Sequence, residues 1–218
     1  MAMLTEIANL FNNLDDLNVT HYSEPCSVWV VDDFLPTNIF ETCLQEINTR
    51  TIWEDVDVKT PLPYVTRYEY RKLDKTPYTE SIINYLNAGK FLTWIESKSK
   101  YSGLLPDPYL HGGGVCRIPA GKTLTVHKDF NWNDKIKCSH VINACLYMDT
   151  GGDLQFWDGD ECIFTVDVKP NRLIFWEDPH LYKHGFSEML ETDRTNLVLF
   201  YYESDCTPPE NVNKSYEA

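Results

Sequence analysis

Between Val115 and Tyr202 the chain divides into eight short stretches rich in β-branched, aliphatic and aromatic residues: 115–118, 123–130, 140–148, 153–157, 162–168, 172–176, 183–188 and 195–202. Turn formers separate them, among them Gly151 and Gly152, whose plain role is a hairpin turn. Eight short strands at such spacing suggest a sandwich or jelly roll. The core is therefore expected to be mainly β.

Upstream, the period changes. Leu4, Ile7, Phe11 and Leu14, with Leu10 beside them, form a helical stripe. Val28 to Val31 reads as a strand ending in a turn. Pro36 opens TNIFETCLQEIN, where Asn38 and Glu41 resemble a capping box and Ile39, Phe40, Cys43, Leu44 and Ile47 share one face. A second strand region lies within 62–71, LPYVTRYEYR. The longest helical pattern covers 76–100, with Thr76 and Pro77 as cap and first position and Gly89 kinking or dividing it. HGGG, 111–114, reads as a flexible turn into the first barrel strand. The organisation expected is one structural domain: a helical and strand buttress over 1–102, a β core over 103–204 and a loose polar tail over 205–218.

Charge narrows the function classes. Lys plus Arg number 19 against 33 Asp plus Glu, a net charge of −14. Loose electrostatic binding to nucleic acid or to an anionic membrane needs the opposite sign. No basic leader with a long apolar run opens the chain, and no apolar stretch approaches the roughly 18–20 residues that span a bilayer. The seven cysteines contain no CxxC pair and read as reduced, mostly buried thiols, so a cytoplasmic protein without a cysteine-built zinc site is expected.

The chemistry-bearing stretch is TLTVHKDFNWNDK, 123–135. Leu124 and Val126 share one face of an alternating strand, and His127 and Asp129 stand two residues apart, on the same side as each other. By themselves they read as an ion pair. Downstream, His184 lies near a strand start, and ten residues later Arg194 opens RTNLVLFYY. Two imidazoles and one carboxylate on barrel strands would occupy one face of a metal and leave the other positions open, the arrangement of non-haem Fe(II) oxygenases. A closed structural zinc site would want a fourth protein ligand. His180 competes with His184, but Pro179 before it argues against a single helix carrying both. Arg194 either anchors a carboxylate inside the barrel or pairs with Glu188, Glu191 or Asp193 in the turn. No G-x-S-x-G elbow accompanies HGGG, which argues against an oxyanion loop. His111 and His140 read as ordinary histidines, with His140 near the site, and His21 lies outside the pattern. Trp132 is a candidate substrate wall.

Taken in order, GLLPDPYLHGGGVCRIPAGKTLTVHKDFNW, VINACLYMDTGGDLQFWD, VKPNRLIFWEDPHLYKHGFSE and DRTNLVLFYY resemble the 2-oxoglutarate/Fe(II)-dependent dioxygenases, in their prolyl-4-hydroxylase-like branch. The resemblance covers nearly the whole chain after about residue 26 and is densest over 103–202. It implies a double-stranded β-helix, or cupin-like jelly roll, buttressed by N-terminal helices. It also implies iron ligands at His127, Asp129 and His184, with Arg194 pairing with the far carboxylate of 2-oxoglutarate. Tyr147 matches an aromatic that hydrogen-bonds the same carboxylate, and Asn143, on the same strand face, is expected to touch the co-substrate. The implied cofactors are Fe(II) and 2-oxoglutarate, with ascorbate as an addition, and the partners are dioxygen and a peptide or small-molecule substrate. Peptidyl proline is the simplest substrate. A free amino acid, a small metabolite or a nucleobase, a non-catalytic cupin-like binding module and a zinc hydrolase stand as alternatives. Two departures leave the substrate class open: His140 stands where many relatives have arginine, and the loop before Gly151–Gly152 is short.

Overall fold

The computed structural model describes residues 2–50, 54–56, 67–70, 76–205 and 207–214. Its helices are α1 (Ala2–Asn12), α2 (Thr37–Asn48), α3 (Pro77–Leu86) and α4 (Gly89–Glu96). The strands of the N-terminal half are β1 (Val19–Tyr22), β2 (Val28–Val31), β3 (Glu54–Val56), β4 (Arg67–Tyr70) and β5 (Leu104–Pro106). The remainder are β6 (Gly114–Ile118), β7 (Leu124–His127), β8 (Trp132–Asn133), β9 (Cys138–Tyr147), β10 (Leu154–Asp158), β11 (Glu161–Val166), β12 (Leu173–Glu177), β13 (Lys183–Phe186) and β14 (Arg194–Glu203). All eight strands read from the sequence are present, with ends shifted by a few residues. β1, β3, β5 and the two-residue β8 gave no such signal. Of the region 62–71, 67–70 is a strand, and the rest lies outside the described residues.

Two sheets face one another. The larger runs β1-β2-β12-β9-β14-β6-β4-β3, with β5 on β14 and β8 on β9; the smaller runs β11-β10-β13-β7. From β6 to β14 the chain passes back and forth between them, which is a jelly roll. The strands β9, β12 and β14 are buried on both faces, so they read as near-continuous apolar runs. On the outer face, Ala144, Leu146, Phe175, Leu197 and Leu199 pack in one cluster with Ile7, Phe11, Ile39, Ile47, Ile83 and Phe91 of the helices. On the inner face, Cys145, Tyr147, Ile174, Trp176, Val198 and Phe200 meet Leu154 and Phe156 of the small sheet. The helices thus stiffen the larger wall of the barrel from outside.

Local details differ from expectation. α2 is preceded by Pro36, and Asn38 sits inside the first turn, where its Nδ2 reaches Glu6 Oε2 instead of completing a capping box. Helix α3 does begin at Pro77, and its first N–H groups are capped in trans: Glu46 accepts from the backbone N–H of Tyr78 and Thr79. The long helical pattern breaks at Asn87–Ala88, just before Gly89. The turn at 107–114 is pinned, because the Asp107 carboxylate accepts from the N–H groups of Tyr109 and His111. The tail is tied down at 211–214: Asn213 O accepts from the N–H groups of Asn131 and Trp132, and Asn131 Nδ2 donates to Asn211 O. Among the described residues no helix is long and apolar enough to cross a membrane.

Candidate metal centre

β7 and β13 are antiparallel neighbours, and the residue directly opposite His127 is His184. The register slips between this pair and the next, Phe186 opposite Leu124, so β7 carries one extra residue. That bulge corrects the simple alternation: Leu124, His127 and Asp129 all line the cavity, whereas Val126 does not. Gly185 explains how the bulge fits. Its φ is +147°, and a Cβ there would stand 3.0 Å from Leu124 O, 3.2 Å from Thr125 O and 3.2 Å from Val126 Cα. Only a residue without a side chain lets the bulged backbone lie so close.

The two imidazoles are oriented alike. His127 Nδ1 is 2.7 Å from Thr125 O and His184 Nδ1 is 3.5 Å from Tyr182 O. A carbonyl can only accept, so the proton sits on Nδ1 and Nε2 offers a lone pair to the interior. The rings lie 4.9 Å apart, and the edge of His184 is fixed against Trp176, 5.2 Å away in a T-shaped contact. Asp129, 1% exposed, completes the group: Oδ1 is 3.4 Å from His127 Nε2, and Oδ2 is 3.5 Å from His184 Nε2. Its backbone N–H donates to Pro179 O, which ties the end of β7 to the loop before β13. One ligand atom from each of the three residues lies within 4.8 Å of the others. Three acceptors converge with no donor of their own between them, which is the chemistry of a cation site. Two nitrogens and one oxygen suit Fe(II) and leave positions open.

Arg194, the first residue of β14, is deeper in the same cavity and 3% exposed. Its Nη2 donates to Tyr147 Oη at 3.0 Å, and Nη1 donates to Gly152 O at 2.9 Å. The guanidinium lies over the rings of Tyr147 and Phe186, with centroids at 5.0 and 4.6 Å. None of Glu188, Glu191 and Asp193 pairs with it; Asp193 Oδ1 instead accepts from Ala120 N–H. A buried guanidinium with no carboxylate among the described residues is costly unless a ligand supplies one. Burial raises the Tyr147 hydroxyl pKa in spite of Arg194, so it stays a neutral phenol.

Other placements refine the sequence reading. β13 belongs to the small sheet and β14 to the large one, so His184 and Arg194 face each other across the barrel. His180 is half-buried and stands outside the triad. Trp132 is buried, with Nε1 3.3 Å from Asp134 Oδ1, and does not line the cavity. Gly151 and Gly152 do more than turn the chain. A Cβ on Gly151 would stand 2.8 Å from Arg194 Cβ, and Gly152 supplies a carbonyl to the guanidinium. Asn196 also lines the cavity and was missed. The signal was there: on β14, residues 194, 196, 198 and 200 point one way.

The comparisons with known proteins agree with this geometry. Residues 113–202, which contain the triad and Arg194, match the 2OG-Fe(II) oxygenase superfamily. No curated protein matches the chain. Among solved structures, it is similar to a prolyl hydroxylase from Trichoplax adhaerens in complex with a hypoxia inducible factor oxygen degradation domain peptide fragment. The TM-score is 0.59 at 13% identity, covering 94% of this chain and 92% of that one. It is similar also to HygX from Streptomyces hygroscopicus with nickel and 2-oxoglutarate bound (TM-score 0.57, 11% identity, 88% and 92% covered). A third is the viral collagen prolyl hydroxylase of Paramecium Bursaria Chlorella virus-1 in its 2OG complex (0.52, 14%, 82% and 96%). At these identities the likeness is one of fold.

Proposed function

We propose that this chain, whose residues 113–202 match the 2OG-Fe(II) oxygenase superfamily, is an oxygenase of that kind and hydroxylates the prolyl side chain of a peptide. In this reading His127, Asp129 and His184 hold Fe(II), and Arg194 with Tyr147 binds the far carboxylate of 2-oxoglutarate. The observation that carries it is the pairing, in one cavity, of three converging acceptors with a buried guanidinium that no carboxylate among the described residues meets. When bound, Fe(II) and 2-oxoglutarate supply the oxidising power: dioxygen is split, 2-oxoglutarate becomes succinate and carbon dioxide, and one oxygen atom enters the substrate.

The chain's own residues do the rest. The carbonyls of Thr125 and Tyr182 hold the protons of His127 and His184 on Nδ1, keeping both Nε2 lone pairs available for the metal. Asp129 neutralises one unit of the ion's charge. Arg194 presents a rigid fork to a planar carboxylate, and Trp176, Leu154, Val198 and Phe200 wall the cavity with apolar surface that excludes water. The prolyl substrate is supported by the likeness to two solved structures named as prolyl hydroxylases. The net charge of −14 favours neutral or basic peptides over polyanions. A small-molecule substrate is the second reading, favoured by the likeness to HygX, which has been solved with hygromycin B. A cytoplasmic location belongs to the same proposal and fits the burial of Cys43, Cys116, Cys138 and Cys145 in the core.

The test is succinate formation from 2-oxoglutarate with Fe(II) and dioxygen, with Asp129→Ala as control. It is joined to a mass-spectrometric screen of prolyl peptides and small molecules for the gain of one oxygen. Wild-type turnover that the variant loses is expected. Tight ligand binding without turnover would instead make the chain a binding module, and activity without oxygen or 2-oxoglutarate would make it a hydrolase.

A further inference from the structure

Asp129 has a buried polar partner besides the two histidines. Asn143 lies within β9, 2% exposed, with its side chain lining the cavity. Its Nδ2 donates to Asp129 Oδ2 at 2.5 Å. An ionised carboxylate has acceptors only, so the amino end of the carboxamide must be the end that faces it. Oδ1 of Asn143 then points away from Asp129 and meets no hydrogen-bond donor within normal distance among the described residues.

His140 closes the space behind. β9 carries a bulge, since Tyr201 pairs with Ile142 but Tyr202 pairs with His140, and the extra residue brings His140 and Asn143 onto one face although they are three apart. The imidazole is fully buried, packed 4.9 Å from Phe130 and 4.5 Å from Phe200, with Nδ1 3.0 Å from Phe130 O. A ring so fixed leaves the neighbouring carboxamide little freedom to swing away from Asp129.

We infer that Asn143 is a positioning residue for the metal: by occupying Oδ2 of Asp129 it leaves Oδ1 as the one oxygen presented to the ion. The inference rests on the proposed metal centre and goes beyond it. Without that hydrogen bond the carboxylate would be free to turn, and a ligand that is not held in place costs part of the metal affinity that the triad supplies. The family resemblance implied another role for Asn143, contact with 2-oxoglutarate, and the two roles separate experimentally.

The probe is Mn(II), measured by the loss of the free-ion electron paramagnetic resonance signal without co-substrate. 2-Oxoglutarate is then titrated by calorimetry into protein saturated with Mn(II). Wild type is compared with Asn143→Leu, which keeps the branched shape without the donor, and with Asn143→Ala, which guards against a packing clash. Metal-free melting curves check that both variants fold. The expected result is a fall in Mn(II) affinity of about 10- to 100-fold in both variants. Unchanged Mn(II) affinity with weakened 2-oxoglutarate binding would overturn the inference in favour of a co-substrate contact. Unchanged affinity for both would make Asn143 an ordinary core residue. A wild-type protein that takes up no Mn(II) would overturn the metal centre itself, an outcome distinct from the other two.

Discussion

Arg194 shows how much one side chain can constrain. Its guanidinium is buried, held by Tyr147 and Gly152, and stacked between two rings, all without an anion among the described residues. Removing the fork, as in Arg194→Met, is expected to weaken 2-oxoglutarate binding by about 2–5 kcal/mol, the cost of truncating one member of a buried charge pair. Arg194→Lys keeps the charge but not the planar geometry and should recover only part of it. Calorimetric titration of metal-loaded protein measures both; equal affinity in all three proteins would remove Arg194 from the site. Gly185→Ala tests the same scale differently. The added Cβ meets backbone at 3.0–3.2 Å at a positive φ, so a loss of about 1–3 kcal/mol in urea unfolding is expected. Metal affinity should fall with it, because the displaced strand carries His127. The residues proposed for the site could be picked out of the sequence because H-x-D, a distant H-G and a following Arg in order have few other uses. Asn143's bond to Asp129 was not legible, since no spacing rule links residues 14 apart across a bulge.

At the scale of elements, the strands were visible and their registers were not. Alternation located β7, β9 and β14, but the extra residues in β7 and β9 decide which side chains face inward, and a bulge has no reliable sequence sign. The missed pairing of 211–214 with 131–132 has a similar origin, because a polar segment held by backbone hydrogen bonds carries no apolar pattern. The β11–β12 connection makes a separate prediction. Arg172 Nε and Nη2 donate to Asp32 after β2, and Nη1 donates to Asp167, which joins the two strands' loops. The hydrogen bonds from Arg172 are the leading cause that lowers both carboxyls below the ordinary 3.8. The sign follows: their contribution to stability is complete above about pH 4 and is lost as pH falls through the lowered values. In Asp32→Asn with Asp167→Asn, stability should therefore depend less on pH below about 4 than in wild type, measured by urea midpoints against pH. Both carboxylates are largely exposed, so the effect should shrink in high salt.

The whole molecule is a β barrel with one wall reinforced by helices and one wall, the small sheet, carrying His127 and His184 directly opposite one another. Arg194 comes from the other wall, so the ligands of the proposed site bridge both sheets, and binding should resist their separation. With metal and 2-oxoglutarate each near 100 times its dissociation constant, about 2.7 kcal/mol is gained per independently bound ligand. For a chain of this size one such ligand corresponds to a rise in melting temperature of roughly 5–11 °C. Differential scanning calorimetry should find that rise in wild type and not in Asp129→Ala. The most direct measurement is a crystal structure grown anaerobically with Mn(II) and 2-oxoglutarate, with diffraction collected near the manganese edge. One anomalous peak is predicted, bonded to His127 Nε2, His184 Nε2 and a single oxygen of Asp129, with the far carboxylate of 2-oxoglutarate on Arg194. A peak elsewhere, or full ligand density with no metal between those three side chains, would contradict the account.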